Sequence, residues 1–188
     1  TMGSGNTTIS AFNSDGTLTI TDVGTSGTLT MTGGNHSVSG ATSITLGAGS
    51  GAFTLSSINV NSTFTLDASL STEDTTPFSA QIISASGISI TLGANTNMGL
   101  SAAESSAALS IVTGSGSSDF TSTTLISAAT TLTIGAGASG LIATSAVASA
   151  GAFTLNATGV TTKQISLHTI DNAGSGGITL NYGSVGTF

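Results

Sequence analysis

No cysteine and no tryptophan occur in the 188 residues, proline appears once, at Pro77, and the only cation besides two histidines is Lys163. Without cysteine there is no disulfide framework and no thiolate metal site, so backbone pairing and packing must hold the fold. One lysine against eight acids leaves a net charge of −7, which removes the electrostatic basis for binding nucleic acid or an anionic membrane surface. No run of eighteen apolar residues exists, so no segment is expected to cross a bilayer as a helix. The opening TMGSGN carries no charged-then-apolar leader and reads as a processed start.

What is present is a chain written in small hydroxyl residues. Ser and Thr number 67 and Gly 26, while charged residues are only 5%, against roughly 25% in an ordinary soluble domain. Disorder needs low hydrophobicity with high charge. Here Leu, Ile, Val and Phe number 44 and mean hydropathy is +0.41, so a folded chain is expected. Long helix-forming side chains are scarce and β-favouring Thr, Ile, Val and Phe are plentiful, which predicts strand and turn.

Internal repetition gives the architecture. HSVSGATSITLGAG from His36, QIISASGISITLGAN from Gln81 and TLISAATTLTIGAG from Thr124 align with cores at Ile44, Ile90 and Leu132, and GGITLNYG adds a weaker core at Ile178. Related triplets lie between and before them, giving eight in all, starting at Leu18, Ile44, Phe64, Ile90, Leu109, Leu132, Phe153 and Ile178. Their middle residues are Thr19, Thr45, Thr65, Thr91, Ser110, Thr133, Thr154 and Thr179. Alternate strand residues point to opposite faces, so each triplet sends two apolar side chains inward and one hydroxyl outward. Stacked one per rung, the triplets predict an all-β fold, a β-solenoid with rungs of about 19 to 26 residues, in a single repeat-built domain over 1–188.

Leu29, Phe53, Phe120 and Leu141, followed by Val38, Ile58, Ile126 and Val147, fit second and third faces of the same rungs. The alternative is a β-sandwich, which also has short strands separated by turn signals. ASLSTEDTTPF, residues 68–78, holds Pro77 beside Glu73 and Asp74 and reads as a projecting loop. SAAESSAALS, residues 101–110, places Ser101 and Glu104 at capping-box spacing and predicts a single helical turn.

Catalytic chemistry finds little to work with, and the chain is expected not to be an enzyme. A nucleophile needs a base, and only His36 and His168 could serve. His168 follows inward-reading Ile165 and Leu167 and should face solvent, with Asp171 on a turn; His36 aligns with Gln81 and Thr124 and should be exposed. Paired carboxylates for glycan cleavage would have to cluster, but Asp15, Asp22, Asp67, Asp119 and Asp171 are scattered by rung. No cofactor is implied apart from calcium. GSGSSDF, with Gly114, Gly116 and Asp119, is similar to a Gly-rich calcium-binding nonapeptide, and Asp15 and Asp119, with Asn13 and backbone carbonyls, are the candidate ligands.

TGSGSSDFTSTTLISAATTLTIGAGASG and SITLGAGSGAFTL resemble the β-strand-repeat regions of bacterial surface-layer proteins and calcium-roll adhesins, without the regular Gly-Gly-x-Gly-x-Asp consensus. The resemblance implies a secreted, extracellular or cell-surface protein acting as a coat or stalk. Neither terminal stretch, TMGSGNTTISAF or GGITLNYGSVGTF, carries a charge, so the solenoid ends lack the gatekeepers that oppose edge pairing. The expected function is a structural subunit or segment of a filament, sheath or surface layer, with copies of itself as partner. The alternative is a binding module, in which the ladder of Thr19, Thr45, Thr65, Thr91, Thr133, Thr154 and Thr179 recognises ice or an insoluble cell-surface glycan. Thr17/Thr19, Thr63/Thr65 and Thr131/Thr133 make Thr-x-Thr pairs on that ladder, and Ser43, Ser89, Ala108, Ala152 and Gly177 interrupt the outer row.

Overall fold

Alternating apolar and hydroxyl side chains favour extended backbone, and the chain takes that form throughout. The computed structural model describes residues 5–22, 27–71, 80–116, 119–136, 141–160 and 164–183. Among these residues lie eighteen strands: β1 (Thr7–Ile9), β2 (Asn13–Ser14), β3 (Leu18–Asp22), β4 (Leu29–Val38), β5 (Thr42–Leu46), β6 (Phe53–Val60), β7 (Thr63–Ala68), β8 (Ala80–Ser84) and β9 (Gly87–Leu92). They continue with β10 (Met98–Ser105), β11 (Ala108–Thr113), β12 (Phe120–Ser127), β13 (Ala129–Ile134), β14 (Leu141–Ser149), β15 (Phe153–Ala157), β16 (Gln164–Leu167), β17 (Ile170–Asn172) and β18 (Ile178–Tyr182). No helix of the described residues is long and apolar enough to cross a membrane.

Successive strands go to alternate sheets, except that β1 and β2 share one sheet, as do β16 and β17. β3, β5, β7, β9, β11, β13, β15 and β18 form an eight-stranded sheet, and the other ten form the second. Strand pairing is parallel throughout both sheets, so the chain is a β-solenoid of about seven turns with rungs of about 22 residues. A sandwich would need antiparallel pairs, and the described pairs are parallel. The expected second and third faces belong to one bent sheet. Its strands are long, and pairing is irregular midway, between Met31 and Asn35 and between Leu100 and Ala102.

The eight-stranded sheet is the more regular, with three inward files along it. The central file is Ile20, Ile44, Leu66, Ile90, Ile111, Leu132, Leu155 and Leu180, one residue per rung at intervals of 21 to 25 residues. Beside it run Leu18, Thr42, Phe64, Ile88, Leu109, Thr130, Phe153 and Ile178. Phe64 and Phe153 are fully enclosed. Each triplet therefore does face inward by its flanking residues, but alternate triplets sit two residues out of step. Ile44 stacks on Ile20, not on Leu18. Ile90 is fully buried as expected, whereas Asp22, 3% exposed, is slightly more enclosed than Leu92 at 4%, so the interior is not free of charge.

The corners explain the small residues. Gly93, Gly114 and Gly135 follow the strands of the eight-stranded sheet on successive rungs. A Cβ on Gly114 would sit 2.0 Å from the Gly93 carbonyl oxygen, and one on Gly135 2.4 Å from that of Gly114. The glycine that follows each of these strands is thus the point where one rung rests on the next. At the opposite corner a file of inward serines, Ser84, Ser105, Ser127 and Ser149, ties the turn into the eight-stranded sheet. Ser84 Oγ donates to the Gly87 carbonyl at 2.8 Å, Ser149 Oγ to Ala152 at 3.0 Å, and the Ser127 hydroxyl pairs with Thr130 at 2.6 Å. These bonds satisfy hydroxyls that would be costly to bury alone.

Several local expectations are corrected. Residues 101–110 contain no helical turn: Ser101 and Glu104 lie in β10, Ala108 to Ser110 in β11, and pairing with β8, β12, β9 and β13 outweighs the local capping signal. Ile126 points outward, opposite Glu104 and 41% exposed, while Leu125 takes the inward place beside Val147. Phe120 stacks on Ile142 rather than Leu141. His36 is fully buried, in the file of Ile58, Ile82, Ala103, Leu125 and Val147, with its ring 5.1 Å from that of Phe12. Its match to Gln81 fails because Gln81 pairs with Ser57, one place earlier in the rung. The projecting loop 68–78 divides: Ala68 ends β7, Leu70 is exposed, and 72–79, with Glu73, Asp74, Pro77 and Phe78, lies outside the described residues, as does Lys163.

Candidate functional site

The outward face of the eight-stranded sheet is an ordered surface of two adjacent files. One consists entirely of hydroxyls: Thr19, Ser43, Thr65, Ser89, Ser110, Thr131, Thr154 and Thr179. Two residues further along each strand runs the second: Thr21, Thr45, Asp67, Thr91, Val112, Thr133, Asn156 and Asn181. In-register parallel pairing sets neighbours in a file about 4.8 Å apart, and alternate residues of one strand about 6.6 Å apart.

This arrangement corrects the single ladder. Thr19, Thr65, Thr154 and Thr179 belong to the first file, and Thr45, Thr91 and Thr133 to the second. Ser43 and Ser89 do not interrupt a row, because they are members of the first file. Only Thr131/Thr133 among the three Thr-x-Thr pairs spans both files. Thr63 pairs with Gly87 and Ala108 with Ala129 in a third, outer row that carries mostly small residues. The second file has polar cross-links of its own: Asn181 Nδ2 donates to Asn156 Oδ1 at 2.8 Å, and Asp67 Oδ1 accepts from the Ser69 amide at 3.0 Å.

The bent sheet carries a different feature. Where its strands change direction, Ser101, Thr123, Ser145 and His168 are exposed one above another, with Thr121 and Ser166 alongside, forming an open groove of about 630 Å³. The Ser122 and Thr144 hydroxyls in its floor are bonded to each other. His168 faces solvent as expected, its amide donating to the Thr144 carbonyl at 3.0 Å. Asp171 lies in β17 opposite Ala148, outward on a strand rather than on a turn.

The proposed calcium ligands lie far apart along the axis. Asp15 is exposed in the turn between β2 and β3 of the first rung, with Asn13 in β2, while Asp119 precedes β12, its amide accepted by Asn97 Oδ1 at 2.8 Å. Among the described residues no three His, Asp or Glu side chains gather in metal-binding proximity. Residues 117–118 of GSGSSDF lie outside the described residues. Gly116, at φ +79°, stacks against Asn95, itself at φ 61°, so the glycines of this stretch serve a stacked turn.

The ends of the stack are the remaining surface. At the C-terminal end β18 pairs with β15 alone among the described residues, and its side chains in the inward files, Ile178, Leu180 and Tyr182, are 49%, 41% and 55% exposed. At the N-terminal end β3 pairs with β5 alone among the described residues; Ile9, Phe12 and Leu18 are partly buried against the core, and Ile20 and Asp22 are buried. Sequence reading singled out these ends by their uncharged terminal stretches, yet the end rungs carry Asp15, Asp22 and Asp171. It missed the corner serines and the second hydroxyl file, for which the signal was the polar residue two places after each first-file hydroxyl. No protein-family model, curated protein or solved structure matches the chain.

Proposed function

We propose that this chain is a structural segment of an extracellular filament, sheath or surface layer, extended through the open edges of its sheets. The observation that carries this reading is strand β18, which among the described residues pairs with β15 alone, exposes Ile178, Leu180 and Tyr182, and holds no charged residue. Soluble proteins blunt such edges with lysine, proline or a covering segment. The low charge density elsewhere weakens the repulsion that would keep copies apart. The resemblance to surface-layer and adhesin repeats points to the cell exterior and to a role without catalysis. Sedimentation velocity and electron microscopy of the purified chain test the reading: elongated assemblies that grow with concentration are expected, and a monomer at every concentration rejects it.

A second reading is favoured by the two-file hydroxyl face. An array repeating at about 4.8 Å along the axis suits a ligand that is itself ordered, such as ice or a crystalline cell-surface glycan. Retention on insoluble polysaccharide, or altered ice-crystal growth, lost in Thr65→Lys, supports this reading; unaltered ice growth with no retention removes it.

A further inference from the structure

We propose that the open groove on the bent sheet binds a single uncharged polysaccharide chain lying along the solenoid axis. This site is separate from the hydroxyl face of the eight-stranded sheet and rests on neither reading above. It is built where the strands bend. β10 pairs with β8 through Leu100 and Ala80, then through Ala102 and Gln81, which leaves Ser101 as an extra residue at the bend. Thr123 and Ser145 take the same place on the next rungs and His168 follows them, so these four exposed side chains form one wall. The other wall is Gly99, Thr121, Ala143 and Ser166, paired in register from β10 to β16. Gly99 and Ala143 keep it low on alternate rungs. The floor is fixed, because the Ser122 and Thr144 hydroxyls are bonded to each other. Four rungs about 4.8 Å apart give the groove a straight run of about 14 Å.

The lining selects the ligand. Thr121, Thr123, Ser145 and Ser166 bring to the groove hydroxyls with no hydrogen-bond partner among the described residues, and the His168 imidazole has none either. Ser101 Oγ donates to the Ala80 carbonyl at 2.9 Å and keeps its lone pairs for an incoming donor. A hydroxyl donates and accepts, as a sugar hydroxyl does, so each contact can form in either sense. Among the described residues no carboxylate, ammonium or guanidinium lines the groove; Glu104, further along β10, is engaged by Gln81 Nε2 at 3.4 Å. An anionic chain would find no fixed positive charge there, on a protein of net charge −7. An extended peptide would find no free backbone, because β10, β12 and β14 are each paired on both sides. A neutral sugar chain needs neither. Its hydroxyls meet the two walls, and its C–H faces rest on Gly99, Ala143 and the threonine methyls, displacing water held only by exposed hydroxyls.

Calorimetry and saturation-transfer NMR of the full chain with cellohexaose, xylohexaose, mannohexaose and a polygalacturonate oligomer of the same length test the proposal. At least one neutral hexaose is expected to bind, and the anionic oligomer to bind more weakly or not at all. Ala143→Trp fills the groove from an outward position and should abolish the binding. Thr123→Val keeps the shape and strand preference while removing one hydroxyl; it and His168→Ala should each weaken binding about three- to tenfold. Thr65→Lys, on the other sheet, should leave it unchanged, with circular dichroism checking that every variant is folded. Binding of no hexaose, tighter binding of the anionic oligomer, binding that survives Ala143→Trp, or binding unchanged in both Thr123→Val and His168→Ala overturns the groove as the site. Binding lost in Thr65→Lys but kept in Ala143→Trp overturns it too, and moves the sugar to the hydroxyl face.

Discussion

Leu155 and Leu180 occupy the same file one rung apart, yet the first is fully buried and the second is 41% exposed. The same holds for Phe153 and Ile178, at 0% and 49%. Side-chain direction is identical in each pair, so at the C-terminal end burial comes from the next rung rather than from the residue's own strand, whereas Ile20 and Asp22 in β3 at the other end stay buried. Interior and terminal rungs with similar sequences should therefore respond differently to the same substitution.

The largest difference is expected for a buried charge. Leu92→Asp should lower unfolding free energy by about 4 kcal/mol or more, since it removes apolar burial and adds an unpaired carboxylate, while Leu180→Asp should cost less than about 1 kcal/mol. Urea titration of both variants checks this, and equal losses would abolish the distinction between interior and end. Next come the glycines. Gly114→Val drives a side chain into the Gly93 carbonyl and should cost about 2–3 kcal/mol, whereas Gly16→Val in the first rung meets nothing within 4 Å and should be nearly neutral by thermal unfolding.

Smaller effects belong to hydroxyls and imidazole. Ser127→Ala leaves the buried Thr130 hydroxyl without its partner and should cost about 1–2 kcal/mol, against less for Ser14→Ala, whose Oγ accepts from Gly16 N at 3.3 Å in an exposed turn. His36→Leu should raise the midpoint of urea unfolding by an amount equivalent to about 1 kcal/mol, because both ring nitrogens are buried without hydrogen-bond partners. Smallest of all, Thr91→Val and Thr179→Val should each stay within about 0.5 kcal/mol of the parent, since both side chains face outward. If Thr91→Val unfolded the protein while Leu92→Asp were tolerated, every face would be inverted.

Inward and outward faces were legible from alternation alone, because a strand has period two. Register was not. Strands such as Leu18–Asp22 hold two overlapping triplets, Leu-Thr-Ile and Ile-Thr-Asp, and a slip of two residues keeps every face while changing every neighbour. That is why Thr19 and Thr45 were assigned to one ladder although Thr19 stacks on Ser43. His36 was matched to Gln81 one place out of register, and Ile126 was misplaced for a related reason. The bent sheet absorbs extra residues at Met31–Asn35 and at Ser101, so alternation counted through those points inverts. The helical turn at 101–110 failed because local capping chemistry is weak beside two parallel strand partners. The corner serines resemble every other serine in a chain where Ser and Thr number 67, and only their position inside the turn sets them apart.

Stacking by parallel pairing also determines how the molecule would bear load. Every backbone hydrogen bond between rungs runs along the long axis, while the covalent chain winds around it. Tension applied to the two chain ends would meet those bonds from the edge and open them in sequence, peeling one rung before loading the next. Each event would free about 22 residues, on the order of 75 Å of extended chain. A fibre built this way would yield in repeated short steps, and its remaining rungs would stay folded as a template on which the peeled ones could rewind.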